Sequence, residues 1–119
     1  MTKEWQHTGR TGEEIACEFL KELGCSIVEP NYRSRIGEID IVAEHREYFV
    51  FCEVKTHRNR TGLHPSLSVT INKIEKLRVL GEHYLSQKHL MNLQPRFDLV
   101  AVQLAGKTTP EIDHFVIAF

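Results

Sequence analysis

Asp40, Glu53 and Lys55 stand inside an otherwise apolar stretch, Gly37 to Thr56, GEIDIVAEHREYFVFCEVKT. Its alternation predicts two strands joined by a tight turn. Charged side chains are rarely buried unless they pair or bind a metal, because an unpaired charge taken out of water is costly or neutralises itself. An acid on one strand, followed on the next by Glu, one residue and Lys, can hold a divalent cation with a general-base lysine beside it. The chemistry expected of that set is phosphodiester hydrolysis. A structural ion pair between Glu53 and Lys55, two apart on one strand face, is the plainer account of the same residues.

Strand parity makes the first reading testable. Phe49, Phe51, Glu53 and Lys55 should share one face and Val50, Cys52 and Val54 the other. On the preceding strand Glu38 and Asp40 should oppose Ile39 and Ile41. If the turn around Glu44 to Glu47 has an even number of loop residues, Asp40 faces Phe51 or Glu53 on the Glu53/Lys55 side. An odd loop would separate the two acids.

The elements that must position these residues follow from pattern. The chain has 119 residues, 41% hydrophobic and 26% charged, which suits one domain with a single core. A first helix is predicted from Thr11 to Leu23, stopped by Gly24, with Ile15, Ala16, Phe19, Leu20 and Leu23 as its inward stripe. Glu13 falls at the edge of that stripe and can lean over the sheet, whereas Glu14 points away. A short strand, Cys25 to Glu29, is expected to break at Pro30 before the two platform strands. A loop follows from His57 to Ser68. A second helix is expected from Thr70, its N-cap, to Leu85, with Ile71, Ile74, Leu77, Tyr84 and Leu85 inward. Strands over Arg96 to Leu104 and Ile112 to Ala118 complete the order αβββαββ, an α/β fold with a mixed sheet covered by helices.

Several classes are excluded. No run approaches the about 18 apolar residues of a membrane span, and MTKEWQHTGR lacks the apolar stretch of a secretory signal, so the expected location is the cytoplasm. Cys17, Cys25 and Cys52 are odd in number and lack CxxC spacing, against a disulfide framework or zinc knuckle; Cys52 reads as a core residue. The Asn59-Arg60-Thr61 acceptor pattern then has no secretory context. The seven histidines show no HExxH or paired i, i+4 spacing, and no GxSxG occurs.

Net charge is −1, but the distribution is uneven. Lys55, Arg58, Arg60, Lys73, Lys76 and Arg78 are met by the single acid Glu75, and Arg33 and Arg35 precede the first platform strand. Beside a candidate metal site, such a basic field is the footprint of a phosphate backbone. Lys73 also falls near the start of the second helix, where phosphate is favoured.

The blocks GRTGEEIACEFL, NYRSRIGEIDIVA, FVFCEVKT, SVTINK, RFDLVAV and the final AF together resemble the YraN-type family of bacterial proteins, from Gly9 to Phe119. That resemblance implies the restriction-endonuclease-like fold of the PD-(D/E)xK superfamily, similar to archaeal Holliday-junction resolvases, and with it a homodimer as one assembly. By position, the superfamily's helix glutamate falls on Glu13, its metal-binding aspartate on Asp40, the ExK pair on Glu53 and Lys55, and the supporting basic residue on Lys73. Gly37 and Glu38 match the entry to the aspartate. The cofactor implied is Mg²⁺ or Mn²⁺, held by Asp40, Glu53 and Glu13 with the Val54 carbonyl and waters, and the partner is nucleic acid, DNA first. The loop RNRTGLHPSLSV lacks the family's usual phenylalanine before glycine, and HFVIAF lacks its usual asparagine. Two non-catalytic readings stand beside the nuclease: a nucleic-acid-binding module on the same fold, and a scaffold in a larger complex.

Overall fold

The computed structural model describes residues 11–58, 71–104 and 109–117. Helix α1 spans Gly12–Glu22 and begins with a capping box. The Thr11 N–H donates to Glu14 Oε1 at 2.9 Å, and the Glu14 N–H donates to Thr11 Oγ1 at 3.1 Å. Glu14 therefore points to solvent, as expected, yet has a structural task. At the other end Gly24, at φ 98°, allows a Schellman closure: the Cys25 N–H donates to Leu20 O and the Gly24 N–H to Lys21 O, each at 3.0 Å.

Strands β1 (Ser26–Ser34), β2 (Gly37–His45) and β3 (Tyr48–His57) form an antiparallel meander. Helix α2 (Ile71–Gln87) crosses over to β4 (Gln94–Gln103), which pairs parallel with β3, and β5 (Glu111–Ile117) closes the sheet antiparallel to β4. The order in space is β1-β2-β3-β4-β5. Parallel neighbours need such a crossover, which is why a helix falls between β3 and β4. The element order αβββαββ and the mixed sheet are those expected.

Each face of the sheet carries one helix. Ile15, Ala16 and Leu20 of α1 pack on Ile41, Ala43, Val50, Cys52, Val54, Val100 and Val102. Leu77, Leu80, Tyr84 and Leu85 of α2 pack on Val42, Phe49, Phe51 and Phe97. The parity expected for β3 holds, and Cys52 is a fully buried core residue.

Three local expectations are corrected. β1 does not stop at Pro30 but continues to Ser34, because it is an edge strand where a missing N–H costs no ladder bond. Alternation along β2 fails around Asp40: Ile39 packs with the α2 side and Ile41 with the α1 side. The cause lies across the ladder, where Asn31 adopts φ 54° between Pro30, paired to Ile41, and Tyr32, paired to Ile39. Finally Ile71, expected inward, is 77% exposed, and Leu80 and Gly81 supply the buried contact. The expected N-cap Thr70 and the loop residues 59–70 lie outside the described residues.

Candidate functional site

The site is assembled where β2 and β3 part. His45 pairs with Tyr48 across a two-residue turn, Arg46-Glu47, so the loop is even and the register, continued from Ile41↔Cys52, sets Asp40 opposite Glu53. At that point the regular ladder gives way. The Val54 N–H donates to Asp40 Oδ2 at 2.8 Å, so the aspartate side chain takes the place of a backbone acceptor and lies between the two strands. Glu53 and Lys55 continue the β3 strand beside it, both partly buried.

Two helix starts reach the same place. A Cβ at Gly12 would collide with Thr56 Oγ1, so glycine is what lets the first turn of α1 close on the end of β3. That approach carries Glu13 beside Asp40, close enough for each to act on the other's proton. Lys73, in the first turn of α2, acts electrostatically on Asp40, Glu53 and Lys55. The C-terminal end of a strand flanked by helix N-termini is the usual place for a ligand in α/β sheets.

The electrostatics are unbalanced. Burial, then the Asp40 charge, push Glu53 up to about 7, against the partial relief of Lys73 and Lys55. Burial also raises Asp40, although the Val54 N–H and Glu13 stabilise its carboxylate. Glu13 is raised by burial and by Asp40. Lys55 is lowered by burial and by the neighbouring Lys73. Three acids and a lysine are thus each displaced towards the neutral form, and Glu53 furthest, to about 7.

A sequence profile of the uncharacterised protein family UPF0102 matches residues 12–102. The chain belongs to this family. A UPF0102 protein of Syntrophotalea carbinolica is 39% identical over 119 residues, covering 100% of this chain and 96% of the relative. One from Geotalea daltonii is 40% identical, covering 93% and 87%, and one from Rhodococcus opacus is 36% identical, covering 93% and 94%. The matched residues 12–102 include Glu13, Asp40, Glu53, Lys55 and Lys73.

Around these residues the UPF0102 chain treats its other charges differently. Glu38 is turned to solvent and pairs with Arg33 at 3.3 Å, their side chains 62% and 74% exposed. Both act on the site at range, Glu38 raising Glu13 and Asp40 and Arg33 lowering Glu13. Gly37, at φ 149°, sits against α2, where an added Cβ would lie 3.2 Å from Leu80 and from Lys76 Cε. Arg58 is exposed just past β3, and Arg35 is exposed at the β1–β2 turn. Arg60 lies outside the described residues. Arg78 leaves the basic field, being held by Glu75 at 2.8 Å and Glu82 at 3.2 Å.

Among the described residues no three His, Cys, Asp or Glu side chains form a ready metal cage. Glu13, Asp40 and Glu53 are near enough to displace one another's pKa but do not make a three-ligand set. Two uncompensated carboxylates nevertheless fit Mg²⁺, which keeps several waters and takes one or two protein carboxylates.

A second polar cluster was missed in the sequence. Asp98 on β4 is fully buried and takes a two-pronged contact from Arg96, Nε to Oδ1 at 3.0 Å and Nη2 to Oδ2 at 2.9 Å. His114 Nε2 donates to Asp98 Oδ2 at 2.6 Å, and Arg96 Nη1 reaches His45 Nδ1 at 3.0 Å. The Arg-x-Asp spacing within Arg96-Phe97-Asp98 was the available signal, since residues two apart on a strand share a face.

Proposed function

We propose that this chain is a divalent-metal-dependent phosphodiester hydrolase acting on nucleic acid, with DNA as the first substrate to test. The observation that carries the reading is the pair Asp40 and Glu53. They are brought together by the β2–β3 register, partly buried without enough cation to neutralise them, and Glu53 is followed two residues later by Lys55. A scaffold has little reason to keep such charges, because apolar residues of similar volume serve stability as well or better. The resemblance of GEID and EVK to the YraN-type blocks and the PD-(D/E)xK superfamily supports the same assignment.

Asp40 and Glu53 would hold Mg²⁺ or Mn²⁺, with Glu13 in reserve beside Asp40. A bound divalent ion supplies Lewis-acid polarisation of the scissile phosphate. The Val54 N–H fixes the Asp40 carboxylate. Lys55, whose pKa burial and Lys73 lower, would orient or deprotonate the attacking water. Lys73 and Lys76 on α2 and Arg58 beyond β3 add positive charge for the phosphates on either side.

A panel of labelled duplex, single-stranded, flapped and four-way-junction DNAs, incubated with Mg²⁺, Mn²⁺ or EDTA, tests the reading. Cleavage that requires the metal and is lost in Asp40→Asn is the expected result. Cleavage that persists in EDTA or in Asp40→Asn would sink it.

A further inference from the structure

Along α2, residues 73, 76, 80, 83 and 87 recur at intervals of three and four and so form one stripe. The stripe carries Lys73 at the carboxylate site, Lys76 and Leu80 against Gly37, and His83 and Gln87 beyond. His83 and Gln87 line an open cleft of about 480 Å³ between α2 and the β1–β2 turn, completed by Tyr32, Ser34, Arg35, Ile36 and Lys88. At a rise of about 1.5 Å per residue, the ten residues from Lys73 to His83 set this cleft about 15 Å from the carboxylates. One helix therefore spans from the site to the cleft, with Leu80 buried between them.

The lining combines three chemistries. Arg35 is exposed and has no ion-pair partner among the described residues. Lys88 lies 3.9 Å from Glu29 and 5.6 Å from the centre of the Tyr84 ring, a loose engagement that leaves its side chain 48% exposed. Tyr32 and Ile36 supply flat and apolar surface, with the Tyr32 ring held edge-on to Tyr84 at 4.9 Å. Gln87 and Ser34 supply an amide and a hydroxyl.

We infer that this cleft binds one nucleotide of a single-stranded segment, its phosphate against Arg35 and Lys88 and its base against Tyr32, Ile36 and Gln87. A bare phosphate would leave the aromatic, apolar and amide walls unused. A paired base has no face free to stack, so the cleft selects unpaired nucleotides some way along the strand from the reacting phosphate. The inference rests on the nucleic-acid reading above but needs neither metal nor turnover.

The test is titration of the full chain, in EDTA, with dAMP, inorganic phosphate and deoxyadenosine, followed by backbone amide NMR shifts. dAMP should bind at least about tenfold more tightly than either fragment, moving amides of residues 32–37 and 83–88. Arg35→Ala and Gln87→Ala, both exposed and harmless to packing, should each raise the dAMP Kd about fivefold or more. Asp40→Asn should leave it unchanged, so that loss of cleavage and loss of this site are read separately. Phosphate binding as tightly as dAMP, shifts centred on Asp40 and Glu53, no shift at millimolar dAMP, or dAMP affinity unaltered in both cleft variants would each overturn the inference.

Discussion

Asp98 and Glu53 lie on adjacent parallel strands, and burial pushes the carboxyl pKa of each upward. At Asp98 that push is outweighed by hydrogen bonds from His114 and Arg96, so its pKa ends below the ordinary value. At Glu53 the nearest strong influence is another acid, Asp40, and the pKa rises to about 7. α1 connects the two environments: Gly12 packs on Thr56 at one end, and past the other end Cys25 lies near Arg96. The same fold thus surrounds one buried acid with donors and leaves three others short of them. A compensated acid clasps β4, β5 and the β2–β3 turn; an uncompensated one is available to a cation or a proton.

The comparison predicts opposite consequences for the two acids. In cleavage assays Asp40→Asn, Glu53→Gln and Lys55→Ala should each lower the rate at least about 10³-fold, ~4 kcal/mol in the barrier, with far-ultraviolet circular dichroism unchanged. In Asp40→Asn the amide side chain keeps a carbonyl oxygen for the Val54 N–H, so the fold of that variant should survive. Arg96→Met should do the reverse. It leaves the fully buried Asp98 carboxylate without its two-pronged partner and should cost about 3–5 kcal/mol of stability in urea unfolding, with the rate per folded molecule little altered. If Arg96→Met were neutral to stability, or Asp40→Asn were as damaging to it, the distinction between clasp and site would fail.

The difference in legibility between the two regions has a physical cause. Asp40, Glu53 and Lys55 were readable because they interrupt apolar strands at short range, and because strand parity fixes Glu53 with Lys55 from local sequence alone. Glu13 was readable from its place on the helical wheel. The Asp98 cluster draws on His45, Arg96 and His114, which only the sheet order brings together, and a lone aspartate in a strand does not announce its partners. The flip of Ile39 and Ile41 was hidden for a related reason. It is set by the left-handed Asn31 on the neighbouring strand, and the β2 sequence has no glycine or proline at Asp40 to signal it. Pro30 misled in the other direction, since a proline ends an interior strand but not an edge strand.

A metal titration sharpens the contrast at smaller magnitude. A divalent ion that binds only the folded protein stabilises it by RT ln(1 + [L]/Kd), about 2.7 kcal/mol at a hundredfold excess over Kd, or roughly 10 °C in Tm for a chain of this size. The wild type should show that rise with Mn²⁺, and Asp40→Asn should lose it. Arg96→Met, though less stable, should keep the same increment because Arg96 bonds to Asp98 and His45 and not to the site carboxylates. Equal shifts in wild type and Asp40→Asn would place the ion elsewhere.

The smallest effect is the pH dependence of the metal-free protein, and its sign separates the two acids. Glu53 has a folded pKa raised from 4.5 to about 7, so the folded state binds its proton more tightly than the unfolded state does. Its contribution is then stabilising when protonated, and it is lost as pH rises from about 4.5 through about 7. With allowance for solvent screening of a side chain that is only partly buried, the loss amounts to about 1–2 kcal/mol. Asp98 has a depressed folded pKa and acts in the opposite direction, its stabilisation present above the ordinary value and lost only as pH falls through the folded one. Urea unfolding in EDTA should therefore show stability declining between pH 4.5 and 7. Glu53→Gln should flatten that decline, because glutamine has no proton to lose. Under Mn²⁺ the decline should also flatten, since the ion favours the ionised carboxylates. A wild-type profile that is level across this window in EDTA, or a Glu53→Gln profile as steep as wild type, would show that Glu53 is compensated in solution much as Asp98 is.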